Sequence, residues 1–238
     1  MKTNISKQQA APFEAIKFQP LVWLRLRSWV ITGLVCLLGL AFPGVHSASA
    51  QKPTPAIRVR VDNYTQALPG ALARAEREAA RIFDAAGLRT VWLDCPKGHS
   101  PTVMKDPCQD PLEPTDIELR VVSESSQNKF QDTIFGFAVH PVLATIYYEY
   151  PVRLARSDNA DFELPVILGC VIAHELGHLL LGSNSHSGSG IMQPRWERKQ
   201  VRQAMTGTLT FTPGQARQIQ VETQRRMRLN SANSYASN

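Results

Sequence analysis

The chain has 238 residues, of which 43% are hydrophobic, and a formal net charge of +6. Five basic residues and one acidic residue fall in the first 50, so the remaining 188 residues carry 21 basic against 19 acidic groups, a balance of only +2. That excess gives no case for a nucleic-acid partner, and the length suits one domain, placed at 51–230 with a frayed tail at 231–238.

In chain order, Lys2, Lys7, Lys17, Arg25 and Arg27 come first, followed by an apolar run from Trp29 to Phe42 and then Ala48-Ser49-Ala50. This is the pattern of a secretory signal peptide over 1–50, with cleavage predicted after Ala50. The apolar run is short of the ~20 residues that span a bilayer. The mature protein is therefore expected to be secreted or periplasmic, with membrane contact only during export. Val35 precedes Cys36, where a lipoprotein cleavage site needs a small residue, so lipidation is not expected.

Ile57 to Val61 alternates apolar and polar residues, a strand pattern. Pro69 opens a helix, apolar residues recur at helical spacing from Leu72 to Ala86, and Gly87 ends it. Thr90 to Leu93 is a second strand, and together these read as a β-α-β unit with a parallel strand pair. Cys95 and Cys108 bracket an irregular loop, and export permits disulfides, so the two are predicted to be joined. A third strand is predicted at Asp116 to Val122, a short fourth at Ile134 to Val139 and a fifth at Thr145 to Tyr150. Nothing in the spacing of His140 makes it a ligand, and it reads as a loop histidine. The stretch from Val152 to Phe162 is polar and reads as a loop or short helix.

Leu164 to Leu181 is apolar almost all round, which predicts a buried helix. Within it lies His174-Glu175-Leu176-Gly177-His178. Residues four apart share a helix face, so His174 and His178 can hold one metal ion. Glu175 stands about 100° round the helix, beside that face, where a general base belongs. Buried polar groups need partners, and a metal supplies one. Gly182 is suited to end the helix in a left-handed conformation, and the polar turn Ser183-Asn184-Ser185 can return His186 to the same metal. Three histidines leave a fourth tetrahedral position open, the arrangement of a catalytic zinc (Zn2+) site. Cys170, one turn before His174, reads as a small buried hydrophobe.

The segment from His174 to Met192 resembles the signature of the metzincin clan of zincin metalloproteases, H-E-x-x-H-x-x-G-x-x-H followed by a methionine turn. The matrixin-like branch is the nearest, because Ser187 follows the third histidine and Gly190-Ile191-Met192 comes soon after. This chain departs from the signature in its turn: Gly182 is four residues after His178 instead of three, and His186 eight instead of six. The resemblance implies that His174, His178 and His186 are ligands, Glu175 the base and Met192 the residue beneath the metal. It further implies that Gly136, Phe137 and Ala138 lie on an antiparallel edge strand able to pair with an extended substrate.

After Met192, one helix is predicted within Trp196 to Met205. Thr212-Pro213-Gly214-Gln215 is a capping box, followed by a last helix to about Met227. The expected fold is a single α+β, zincin-like domain with a mixed β-sheet, an N-terminal β-α-β unit and a buried active-site helix. The expected function is that of a secreted, monomeric, zinc-dependent endopeptidase acting on protein or peptide substrates, with Glu175 as general base. Two alternatives stand beside it: an exported, zinc-stabilised pseudo-protease acting as a binding module, and a hydrolase of non-peptide amides.

Overall fold

Alternation places Ile57, Val59 and Val61 on one face of the first strand, and the same face continues through Ile117, Leu119 and Val121 of the third. A computed structural model describes residues 54–65, 67, 69–95, 106–123, 135–157 and 163–236. The predicted signal segment lies outside them. The described residues belong to one compact unit, Ala50–Asn238. Its strands are β1 (Ala56–Tyr64), β2 (Arg89–Asp94), β3 (Asp116–Val122), β4 (Gly136–Val139) and β5 (Leu143–Tyr147). They form one sheet in the order β2-β1-β3-β5-β4. The pairs β1–β2, β1–β3 and β3–β5 are parallel, and β4 runs antiparallel to β5 at the sheet edge. The sheet is thus mixed, and its first two strands flank α1 (Pro69–Ala85) as the predicted β-α-β unit.

The register aligns Val59 with Ile117, Leu119 with Ala144, and Val121 with Ile146, a continuous apolar face. Against it pack Leu72, Ala75, Ala79, Ile82 and Phe83 of α1 and the long helix α3 (Leu164–Leu181). Around these lie α2 (Glu149–Ser157), α4 (Arg198–Met205) and α5 (Pro213–Ala236). Helix α3 is long and apolar enough to cross a membrane, but most of it is buried inside the fold, so it is the core helix of this unit.

The other face of β1 carries Arg58 and Arg60. Arg60 is buried and donates to the carbonyls of Asp110 and Pro111 and to the Asp116 carboxylate. It thereby ties the end of the loop closed by the Cys95–Cys108 disulfide onto the sheet. The predicted disulfide is present, and Cys170 is a free, buried thiol whose pKa burial pushes well up.

Two boundaries differ most from the sequence expectation. The fifth strand stops at Tyr147, not Tyr150, and Glu149 already begins α2, with Pro151 in its first turn where proline is tolerated. Of the stretch expected to be a loop or short helix, 152–157 belong to the short helix α2 and 158–162 lie outside the described residues. The last helix does not end near Met227 but runs on to Ala236, so 231–236 is helical rather than a frayed tail. Ile134 lies outside the described residues.

Glu76 is an acid buried within α1's core-facing stripe, and its Oε1 has no hydrogen-bond partner. Burial first, then the nearby Asp94 carboxylate, push its pKa from 4.5 up to about 8. The folded protein thus holds a proton that the unfolded chain releases, so this group's contribution to stability is present below pH ~4.5 and lost by pH ~8. Glu76→Gln keeps the shape and removes the titration. The variant is expected to melt above the parent at pH 8 and level with it at pH 4, as read by thermal denaturation across pH. An equal difference at both ends would show that charge burial is not the cause.

Candidate metal centre and cleft

Pro165 near its start and Gly182 at its end bound α3. Gly182 adopts φ 94° and ψ 169°. That is not the left-handed helical conformation expected from the sequence but an extended region open essentially to glycine alone. The Gly182 amide still donates to the His178 carbonyl, which finishes the helix before the chain turns back. Gly177 is forced by packing: a Cβ there would stand 2.8 Å from the Met192 sulfur and 2.9 Å from the Phe211 ring. Met192 is fully buried and sits directly against the helix turn between the two histidines.

The turn brings His186 back to the helix. The ligand nitrogens of His174, His178 and His186 all lie within 4.8 Å of one another. The ring centroids of His186 are 5.5 Å from those of His174 and 4.7 Å from those of His178. Second partners orient both helix histidines. His174 Nδ1 lies 2.8 Å from the Ile191 carbonyl, which can only accept, so Nδ1 carries the hydrogen and Nε2 a free lone pair. His178 Nδ1 lies 2.9 Å from the Ser185 hydroxyl, and the Gly182 backbone hydrogen-bonds the same ring.

Burial, with smaller contributions from the neighbouring histidines, lowers the pKa of His174 to about 3 and that of His178 to about 4, so both are neutral at pH 7. Their Nε2 atoms face each other at 3.1 Å. At that separation the two nitrogens share one proton, or a cation takes its place between them. Neutral rings, free nitrogens turned inward and second partners on the outer nitrogens together fit a divalent metal with imidazole affinity.

Glu175 is 3% exposed, and burial raises its pKa to about 8. It lines the same cavity as the three histidines, a cleft of about 400 Å³ also bounded by Phe135, Gly136, Phe137, Ala138, Ser183 and Pro194. Thus Gly136, Phe137 and Ala138 do lie along the cleft, on edge strand β4. His140 is exposed on the cleft rim and outside the histidine cluster.

Sequence reasoning missed four contributors. Phe135 packs edge-on against the His174 ring at 4.7 Å and also against Trp196 at 4.6 Å and Tyr150 at 4.8 Å, forming an aromatic wall behind the first histidine. Trp196 meets His174 edge-on at 6.0 Å. The Ile191 carbonyl and the Ser185 hydroxyl complete the set. Trp196, four residues after Met192, and Ser185, one before His186, stood near the motif in sequence; Phe135 had no local signal.

No protein-family model matches the chain, and no curated protein does. Among solved structures, it is similar to a zinc-dependent peptidase from Methanocorpusculum labreanum, with 15% identity, 68% of this chain and 99% of that chain covered, and a TM-score of 0.45. It is also similar to an archaemetzincin from Methanopyrus kandleri, with 16% identity, 75% and 99% coverage, and a TM-score of 0.38.

Proposed function

We propose that this protein is an exported zinc-dependent endopeptidase. The observation that carries the reading is the convergence of three histidines and one buried glutamate in a single cleft alongside the β4 edge of the sheet. His174, His178 and His186 would hold the ion, and Met192 would pack beneath it. A zinc ion there would supply Lewis acidity toward a scissile carbonyl and lower the pKa of a water molecule to near 7.

The chain's own groups do the rest. Glu175 accepts a proton from the attacking water and returns it to the leaving amine. Burial alone favours its neutral form, so the carboxylate it needs as a base is stabilised by the positive charge of a filled site. Main-chain groups of Gly136 to Ala138 on β4 are placed to pair with an extended peptide, the strand-addition mode of binding. Phe135 and Trp196 hold the His174 ring upright and keep water from its back.

Retention of a buried carboxylate beside the histidines favours catalysis over a purely structural zinc module, which has no use for a base. A strand edge beside the cleft, unpaired among the described residues, favours peptides over small amides. Export rests on the pattern of residues 1–50, and the Cys95–Cys108 bond suits an oxidising compartment. The test is metal content together with peptide-library cleavage by the purified mature chain, with and without a chelator. One equivalent of zinc and chelator-sensitive internal cleavage are expected; a zinc-loaded protein that cleaves nothing in the library would overturn the reading.

Ser185 gives a narrower expectation. Its hydroxyl meets the outer nitrogen of His178, whose ring also bonds the Gly182 backbone, and such partners are worth ~10–100-fold in metal affinity. Because the Gly182 backbone remains, Ser185→Ala is expected to weaken zinc binding by ~10-fold, the lower end of that range, in competition with a chromogenic chelator. Ser185→Thr should restore it. Equal affinity in parent and alanine variant would show that the Gly182 backbone suffices.

A further inference from the structure

A second, smaller pocket of about 290 Å³ adjoins the cleft and shares His140 and Leu179 with it. It lies where α3 ends against α5, and its walls include Leu181, Gly182, Val221 and Glu222. Val221 is 64% exposed, an apolar side chain facing solvent at the pocket mouth. Glu222 and two of the main-chain carbonyls around it are already engaged. Arg225 takes both oxygens of Glu222, and Arg226 shares one of them. The Leu179 carbonyl accepts from Arg226, and the Leu181 carbonyl accepts from Gln218. The Glu222 carboxylate is thus already paired with two arginines, while the half-buried Leu181 and the exposed Val221 side chains are open to an apolar visitor.

The direction of β4 says which part of a peptide would reach this pocket. Phe135 to Ala138 lie by the metal centre, and His140 follows at the C-terminal end of the strand. A peptide that adds antiparallel to β4, the commoner and stronger pairing, therefore lays the residues before its scissile bond toward His140. We propose that the pocket between α3 and α5 is a specificity subsite that takes an apolar side chain from the N-terminal side of the scissile bond. This rests on the metallopeptidase reading for its substrate class, and on the pocket's own walls for its preference. Leucine, isoleucine and methionine meet Leu181 and Val221; lysine meets a carboxylate already paired with Arg225 and Arg226, and aspartate meets that same carboxylate.

Short N-acetylated peptide hydroxamates test this without any turnover. The hydroxamate anchors on the metal, so the residues before it run along the N-terminal side of the cleft. Binding to the zinc-loaded protein is measured calorimetrically for compounds with Gly, Leu, Lys or Asp at each of the three positions before the hydroxamate. Leu is expected to bind ~10-fold tighter than Gly at one of these positions, as burial of one such side chain provides, with Lys and Asp no better than Gly. Val221→Asp, a change at an exposed site, should bring the Leu-to-Gly ratio close to one. A flat profile at all three positions, a preference for Lys or Asp, or a ratio unchanged in Val221→Asp overturns the subsite. Failure of every hydroxamate to bind overturns the metal centre and the subsite together. Binding with the expected preference but no peptide cleavage by the same preparation would leave the subsite standing and overturn only the peptidase reading.

Discussion

Glu175→Gln is expected to retain a full equivalent of zinc while peptide cleavage falls by at least ~10²–10⁴-fold, the range that general acid–base catalysis supplies. The three histidine nitrogens form the cluster without the Glu175 carboxylate, so its replacement leaves the ligand set whole. Gln has the same shape and fills the same buried space, but it cannot take a proton from water. Destabilisation does not offer an alternative cause. Burial raises the Glu175 pKa to about 8, so in the metal-free protein this acid contributes stability at low pH that is lost as pH rises toward 8. The neutral amide has no such loss, and metal-free Glu175→Gln should melt no lower than its parent at pH 8. Activity, zinc content and melting temperature measured on one preparation decide the matter. A variant that lost zinc along with activity would place the carboxylate on the metal; one that kept near-parental cleavage would remove Glu175 from the chemistry.

The parts of this site legible in the sequence are those governed by one helix. Helical periodicity alone brings His174 over His178, and the apolar surround of Leu164 to Leu181 foretold burial, since 14 of those 18 residues are buried. The alternation in β1 and β3 likewise fixed which residues face the core. What could not be read was set by contacts distant in sequence or by a choice between near-equal local states. Tyr147, Tyr148 and Tyr150 favour strand by residue type, yet the ladder with β3 ends at Tyr147 and helix α2 takes over at Glu149. Arg226 is fully buried and donates to the Leu179 carbonyl 47 residues earlier, although it stands in a run rich in Arg and Gln, residue types that usually face solvent. Phe135 reaches His174 only because β4 folds back along β5 at the sheet edge.

The turn after Gly182 is where this chain departs from the metzincin spacing, and there a second substitution is expected to have a large effect. The two additional residues between His178 and His186 do not carry the third histidine away, for its ring remains 4.7 Å from that of His178. They also place Ser185 on the outer nitrogen of His178. His186→Ala should therefore lower zinc affinity and activity together, the affinity by more than the ~10–100-fold that loss of an outer partner costs. Unlike His174, which is buried against Phe135 and Trp196, His186 is exposed. Its truncation opens no cavity, and the melting temperature of the metal-free protein should not move. A large excess of zinc should restore part of the lost cleavage, because His174 and His178 still face the site with free nitrogens. That combination separates a lost ligand from a damaged fold, which excess metal would not repair. If His186→Ala bound zinc as tightly as the parent and cleaved peptide as fast, the third ligand would have to be another group, and the long turn would serve only to carry Ser185.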